Sequence, residues 1–270
     1  MNPLARLSFN QITVDPWTLE QAVRNCVRSG VPGIAVWRHK LGGDASGAAA
    51  RIRNSGLRVS SLCRGGYFSA PTHQERKERI ADNRLAIEEA ATLGAPVLVI
   101  VSGPPRGQSL SDARATVIDG LHEILPDAER ANIKLGIEPL HPMYAAERSV
   151  VVTLKQAIDI AEQLSSSAAG VVIDAFHVWW DPEVGAEINR AQEKIAGFHV
   201  SDWPVPLPGI LMGRAMMGDG VIELRKLREL VDSAGYKGPI EVEIFNEAVW
   251  RMPEGEVMNL IRSRFLEHVA

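Results

Sequence analysis

Only two cysteines, Cys26 and Cys63, occur in 270 residues, too few for a disulfide framework and too widely separated for a Cys-x-x-Cys metal or redox site. That scarcity fits a reducing compartment, so a cytoplasmic location is expected. No uninterrupted apolar run reaches the roughly 18 residues that span a bilayer. The opening segment MNPLARLSFNQ also lacks the apolar core and small-residue cleavage site of a secretion signal. A membrane partner is therefore not expected. Basic residues are not in excess either: 29 Lys and Arg against 33 Asp and Glu give a net charge of −4. With no basic cluster, nucleic acid is not an expected partner. There is no Gly-x-x-x-x-Gly-Lys-Ser/Thr loop, no convincing Gly-x-Gly-x-x-Gly turn after the first apolar run and no Gly-x-Ser-x-Gly elbow, which removes the common nucleotide-binding and serine-hydrolase readings. Linkers, composition shifts and low-complexity segments are missing as well, so residues 1–270 read as one domain.

What the chain does have is 46% hydrophobic and 23% charged residues, the balance of a globular protein with a sizeable core. Eight short apolar runs rich in Val, Ile and Leu alternate with longer amphipathic stretches: LSFNQITV from Leu7, VPGIAVW from Val31, LRVSSLC from Leu57, APVLVIVSG from Ala95, IKLGIEPL from Ile133, AGVVIDAF from Ala169, IAGFHVSDW from Ile195 and PIEVEIF from Pro239. Unbroken apolar runs suit strands buried on both faces of a parallel sheet. Asp15-Pro16 precedes the first helical stretch, and Ser29-Gly30, Leu93-Gly94 and Ala234-Gly235 close later ones. Eight comparable βα units in a chain near the typical length of about 250 residues predict the α/β class, as a single (β/α)8 TIM barrel. The Pro/Gly/Met-rich stretch PVPLPGILMGRAMMGDG after the seventh run predicts a long loop, and long loops at that end of a barrel tend to be functional.

In such a barrel the C-terminal strand ends face the active-site mouth. Four consecutive apolar runs deliver a metal-ligating residue type there: Glu138 in LGIE, Asp174 in VVID, His199 in GFHVSD and Glu243 in IEVEIF. Three carboxylates and an imidazole brought to one point suit a divalent ion of the Mn²⁺, Mg²⁺, Co²⁺ or Zn²⁺ type, with positions left for substrate oxygens. Glu241 competes with Glu243, since a spacing of two puts both on one strand face. Glu243 is preferred because it lies nearer the C-terminal end.

Those residues, together with the Asp-x-x-His of Asp174 and His177, HVSDW at His199, the Arg-x-x-x-Gly-x-Gly of Arg214, Gly218 and Gly220, and GYKGPIEVE ending on Glu243, resemble the xylose isomerase-like TIM-barrel superfamily. The resemblance runs the length of the chain and is greatest to the sugar phosphate isomerase/epimerase group, with ketose 3-epimerase, hydroxypyruvate isomerase and inosose dehydratase relatives. It implies one divalent metal ion, Mn²⁺ favoured, held by Glu138, Asp174, His199 and Glu243, with His177 and Arg214 contacting substrate oxygens. The implied reaction is isomerisation or epimerisation of a small sugar, sugar phosphate or sugar acid by proton transfer next to its carbonyl, with Glu138 and Glu243 as acid and base. The runner-up is a metal-dependent lyase or dehydratase working by β-elimination, and a non-catalytic sugar-binding protein ranks below it. A homodimer or homotetramer is the oligomeric expectation.

One departure bears on the reaction. Ketose 3-epimerases usually carry a further Glu six residues past the first ligand, where this chain has Tyr144. The same segment supplies His141, which titrates near neutrality and could act as an additional acid or base. Around the mouth, Arg64 and Arg214 could pair with a phosphate or carboxylate. Among Trp37, Trp179, Trp180 and Trp203, one or two are expected to stack on the sugar, with Trp37 and Trp203 the leading candidates.

Overall fold

The computed structural model describes residues 2–270. Eight strands close into a barrel: β1 (Leu7–Asn10), β2 (Gly33–Trp37), β3 (Arg58–Gly66), β4 (Val97–Val101), β5 (Lys134–Ile137), β6 (Ala169–Asp174), β7 (Ile195–Val200) and β8 (Ile240–Val242). Every neighbouring pair is parallel, and the ring shuts where Leu7 of β1 lies opposite Ile240 of β8. The apolar runs behave as a doubly covered sheet requires; in Val97–Val101, for example, every residue is buried. Outside the ring the helices Leu19–Ser29, Ala45–Ser55, His73–Leu93, Leu110–Ala131, Leu154–Gln163, Val184–Ala191, Leu224–Ser233 and Glu254–His268 follow the strands in turn. The chain is thus a (β/α)8 TIM barrel. Among the described residues no helix is long and apolar enough to cross a membrane.

Local chemistry explains where the boundaries fall. The first apolar run does not stay extended to its end: the Asn10 side chain accepts from the Ile12 amide at 3.2 Å and turns Gln11–Val14 into a 3-10 segment. The first barrel helix begins after Thr18 rather than at Asp15-Pro16, because Thr18 and Gln21 cap each other reciprocally. Asp15 instead faces Lys40 at 2.8 Å. Gly30 and Gly94 do close their helices, each in the left-handed conformation that glycine adopts at little cost. The seam between first and last strands is clasped by Arg6, which donates to the Gly238 carbonyl at 2.8 Å and to Asp232 at 2.5 Å.

The stretch after β7 is a long loop, residues 201–223, before the helix at Leu224. Asp202 holds it: one carboxylate oxygen accepts from the amides of Trp203 (2.8 Å) and Ile222 (3.0 Å), the other from Gly218 (2.9 Å). A Cβ at Gly220 would run into Asp202 Oδ1 and the Trp203 carbonyl, so the close return of the loop needs a glycine there. The motif around Arg214 is therefore in part a folding device that presents Arg214 to the barrel mouth.

Candidate metal centre and active site

Glu138 directly follows β5, Asp174 ends β6, His199 is the penultimate residue of β7 and Glu243 directly follows β8. Each is carried by a strand with hydrogen-bonded neighbours on both sides; the Glu138 amide bonds the Ile100 carbonyl and the Glu243 amide the Val200 carbonyl. All four side chains are buried, and one ligand atom from each falls within 4.8 Å of all the others. His199 Nδ1 faces this cluster, 3.2 Å from Glu138 Oε1 and 3.6 Å from Glu243 Oε2. Its other nitrogen, Nε2, lies 3.1 Å from Glu241 Oε2.

Glu138 Oε1 and both ring nitrogens of His199 are buried without a well-formed hydrogen bond, although Nδ1 lies 3.2 Å from Glu138 Oε1 and Nε2 3.1 Å from Glu241 Oε2. Burying such atoms unpartnered costs free energy unless something else binds them. The charge balance has the same sense. Glu138, Asp174, Glu241 and Glu243 are all buried, and among the described residues the basic side chains that pair with them are Arg214, His177 and His199. Three carboxylates and an imidazole nitrogen aimed at one point, with surplus negative charge, fit a divalent cation.

Proton affinities follow from burial and these neighbours. Burial raises Glu138 to about 7, although His199 opposes it, and burial likewise raises Asp174 against the pull of Arg214. Burial would raise Glu243 too, but Arg214 and His199 beside it bring it down to about 2. For His199 burial favours the neutral ring, yet the carboxylates Glu241, Glu138 and Glu243 push it well above its ordinary value. Burial and the Arg214 charge push His177 well below its own.

Arg214 is buried inside this constellation rather than held free above it. Its Nη1 donates to Asp174 Oδ2 at 2.7 Å and to Glu243 Oε2 at 3.1 Å, while Nη2 lies 3.0 Å from His177 Nε2. The guanidinium that was expected to pair with a substrate anion thus spends its charge on two of the cluster carboxylates. His177 Nδ1 takes the His141 amide at 3.2 Å, which fixes the ring.

A narrow cavity opens over the cluster. Glu138 and Glu243 reach it, together with Trp37, Arg64, His177 and Arg214. Trp203 and His141 are not brought to it. The Trp203 indole stacks on Phe176 at 4.7 Å and packs against Trp179 at 5.5 Å. The His141 Nδ1 accepts from the Met143 amide at 3.2 Å, capping a short 3-10 turn, and its ring lies against Trp203 at 4.9 Å and Trp180 at 5.5 Å.

Two further residues organise the centre: Asn10, which sequence reasoning missed, and Glu241, which it weighed only as a rival ligand to Glu243. Asn10 Nδ2 donates to Glu241 (3.0 Å) and Glu243 (3.2 Å), while its Oδ1 accepts from the Trp37 indole at 2.8 Å. Glu241 pairs with the outer nitrogen of His199. A signal existed for both, a polar residue closing an apolar strand and a second acid two residues before a ligand, but nothing in spacing alone distinguishes a ligand from its support. Tyr144 also lines the cavity, and its hydroxyl bonds the Ile210 carbonyl of the long loop.

Comparison with known proteins agrees with this geometry. A family model described as a xylose isomerase-like TIM barrel matches residues 23–264. The L-ribulose-5-phosphate 3-epimerase UlaE of Salmonella paratyphi A is 25% identical over 212 residues, covering 76% of this chain and 71% of that protein. A crystal structure of a protein from Sinorhizobium meliloti 1021 superposes with a TM-score of 0.96 at 42% identity, covering 98% of this chain and 99% of its own. The IolI protein, crystallised with a zinc atom, superposes with a TM-score of 0.86 at 20% identity over 98% of both chains, a likeness of fold.

Proposed function

The chain belongs to the xylose isomerase-like TIM-barrel family, and from that premise we propose that it is a divalent-metal-dependent isomerase or epimerase acting next to the carbonyl of a small sugar, sugar phosphate or sugar acid. The observation that carries the reading is the convergence of Glu138, Asp174, His199 and Glu243, two of which, Glu138 and Glu243, line the cavity at the barrel mouth. These four side chains would hold the ion. Bound there, a divalent cation supplies Lewis-acid polarisation of a substrate carbonyl.

The rest of the work falls to the chain's own residues. Glu138 and Glu243 stand on different strands yet both reach the cavity, so one can take the proton next to the carbonyl while the other returns a proton from another side. Arg214 fixes the carboxylates of Asp174 and Glu243 and lies against His177 Nε2, so that the two basic side chains stand together at the cavity wall. Trp37, held by Asn10, gives an apolar face for the C–H side of a sugar. Proton transfer by these two carboxylates is favoured over elimination, because the additional base an elimination would draw on, His141, does not line the cavity and has its Nδ1 engaged by the Met143 amide. The name of the Salmonella relative, a 3-epimerase, supports the same reaction class. Tyr144 gives this cavity a neutral wall where ketose 3-epimerases have a carboxylate, so the substrate contacts there differ.

The test is a panel of keto-sugars, keto-sugar phosphates and keto-acids incubated in D₂O with the metal-loaded enzyme and with Asp174→Ala. Deuterium incorporation at otherwise conserved mass, lost in Asp174→Ala together with bound metal, is the expected result. Loss of water or of a leaving group would replace isomerase by lyase. Saturable binding without exchange at any carbon would replace both by a sugar-binding protein, and equal metal content in the two proteins would overturn the assigned ligands.

A further inference from the structure

Three guanidinium groups line the cavity, from Arg64, Arg148 and Arg214. Arg214 is neutralised by Asp174 and Glu243. Arg64 and Arg148, by contrast, enter no side-chain hydrogen bond or ion pair among the described residues; each guanidinium rests near an aromatic ring. The Arg64 guanidinium carbon lies 3.7 Å from the Tyr67 ring centroid, and that of Arg148 lies 5.7 Å from the Tyr144 centroid. An arginine resting on a ring keeps its planar fork of N–H donors free along the edge.

The two rings share one wall. Tyr67 and Tyr144 pack on the same small apolar cluster with Val101 and Leu140. Arg64 comes from β3 and Arg148 from the stretch after β5, whereas the ligand cluster is built at the ends of β5 to β8. The cavity therefore has a cationic side and a strongly carboxylated floor. An anionic group on a ligand would be repelled by Glu138, Asp174 and Glu243 and attracted to the free guanidinium edges.

We propose that Arg64 and Arg148 form an oxyanion-binding end of the cavity, so that the substrate is a small keto compound with a phosphate ester or carboxylate a few carbons from its reacting carbonyl. This rests on the proposed reading of the cavity as the site of proton transfer. Planar forks of this kind bind both phosphate and carboxylate in bidentate fashion, and both sources share that recognition chemistry. Tyr67 and Tyr144 act as positioning residues that hold the two forks in place.

The experiment has two arms. In the first, binding of inorganic phosphate and of acetate is titrated by calorimetry to the wild type and to the Arg64→Gln/Arg148→Gln variant, whose fold is checked by circular dichroism. Hydrogen bonds to charged groups predict weakening by about tenfold or more for the favoured anion, with partial recovery in Arg64→Lys/Arg148→Lys. Preference for phosphate identifies an ester and preference for acetate a carboxylate; either supports the inference. Binding of neither probe, or equal binding to the variant, overturns it.

In the second arm, D₂O exchange is compared for neutral and anionic keto-sugars. Faster exchange with the anionic ones, with KM raised and kcat little changed in the variant, is expected. Equal exchange of neutral sugars, unaffected by the variant, overturns the anion site and leaves the reaction standing. Arginine-dependent phosphate binding with no exchange on any keto compound supports the anion site and overturns the reaction.

Discussion

Replacing Glu241 by glutamine probes the centre without touching any of its four convergent residues. Glu241 Oε2 lies 3.1 Å from His199 Nε2 and accepts from Asn10 at 3.0 Å, in a buried layer beneath the cluster. If Nδ1 is the nitrogen offered to the metal, Nε2 must carry the ring proton, and a carboxylate against it fixes that tautomer and raises the basicity of the ligand nitrogen. Glutamine keeps the size and one acceptor oxygen but removes the charge, and its amide can turn a donor toward the ring. Loss of such a partner typically costs about 10–100-fold in metal affinity, which is about 1.4–2.8 kcal/mol at 1.4 kcal/mol per factor of ten. The assay is competition of metal-stripped protein with a chromogenic chelator for Mn²⁺ and, separately, Zn²⁺. Because the perturbation lies in the histidine rather than the ion, both metals should weaken by a similar factor. An affinity within about twofold of wild type, in a variant with unchanged circular dichroism, would show that Glu241 does not tune His199 and that the reasoning from the 3.1 Å contact fails.

Glu138→Gln and Glu243→Gln should each lower turnover by about 10²–10⁴-fold with a much smaller change in substrate affinity. His141→Ala should leave D₂O exchange nearly intact, and a dead His141→Ala beside an active Glu243→Gln would mean the wrong base has been assigned. Gly220→Ala, whose Cβ meets Asp202 and the Trp203 carbonyl, should cost about 1–3 kcal/mol in urea unfolding and weaken metal binding through Arg214; a wild-type Tm and metal affinity would refute the role given to the loop. Asp232 at the barrel seam is partly buried, which alone would raise it, but hydrogen bonds from Arg6 and Arg228 hold it below its ordinary value. A lowered native pKa contributes stability above the usual aspartate value of about 4 and loses it as pH falls through the lowered value. Asp232→Asn should therefore be less stable than wild type by about 0.5–1 kcal/mol at pH 7, after solvent screening, with the gap closing below about pH 4. A gap that does not narrow as pH is lowered from 7 to below about 4 would refute the ion-pair account.

The fold was legible because barrel strands buried on both faces must be written as uninterrupted apolar runs; seven of the eight runs contain their strands, and the third, LRVSSLC, falls three residues short of the end of β3 at Gly66. Four ligand-type residues at successive strand ends were legible for the same reason, since the strand end fixes where a side chain points. Boundaries set by side-chain hydrogen bonds were not, as Asn10 and Thr18 show: a cap is chosen by geometry within a turn, and several residues nearby could have served. Nor could the sequence separate Arg214, consumed by Asp174 and Glu243, from Arg64 and Arg148, which keep free edges on the cavity.

Periodicity and residue type by themselves determined the ring of strands, the face on which chemistry is arranged and the acids and imidazole available to it. Which nitrogen of His199 faces the cluster, that Glu241 stands behind it, and that His141 and Trp203 pack against each other instead of lining the cavity were decided only in three dimensions. These outcomes depend on contacts between segments far apart in the chain, such as Asn10 with Glu241 and Glu243, and on how the long loop folds back through Asp202. A local pattern records the direction of a side chain along its own strand; it carries no information about which distant partner will neutralise it.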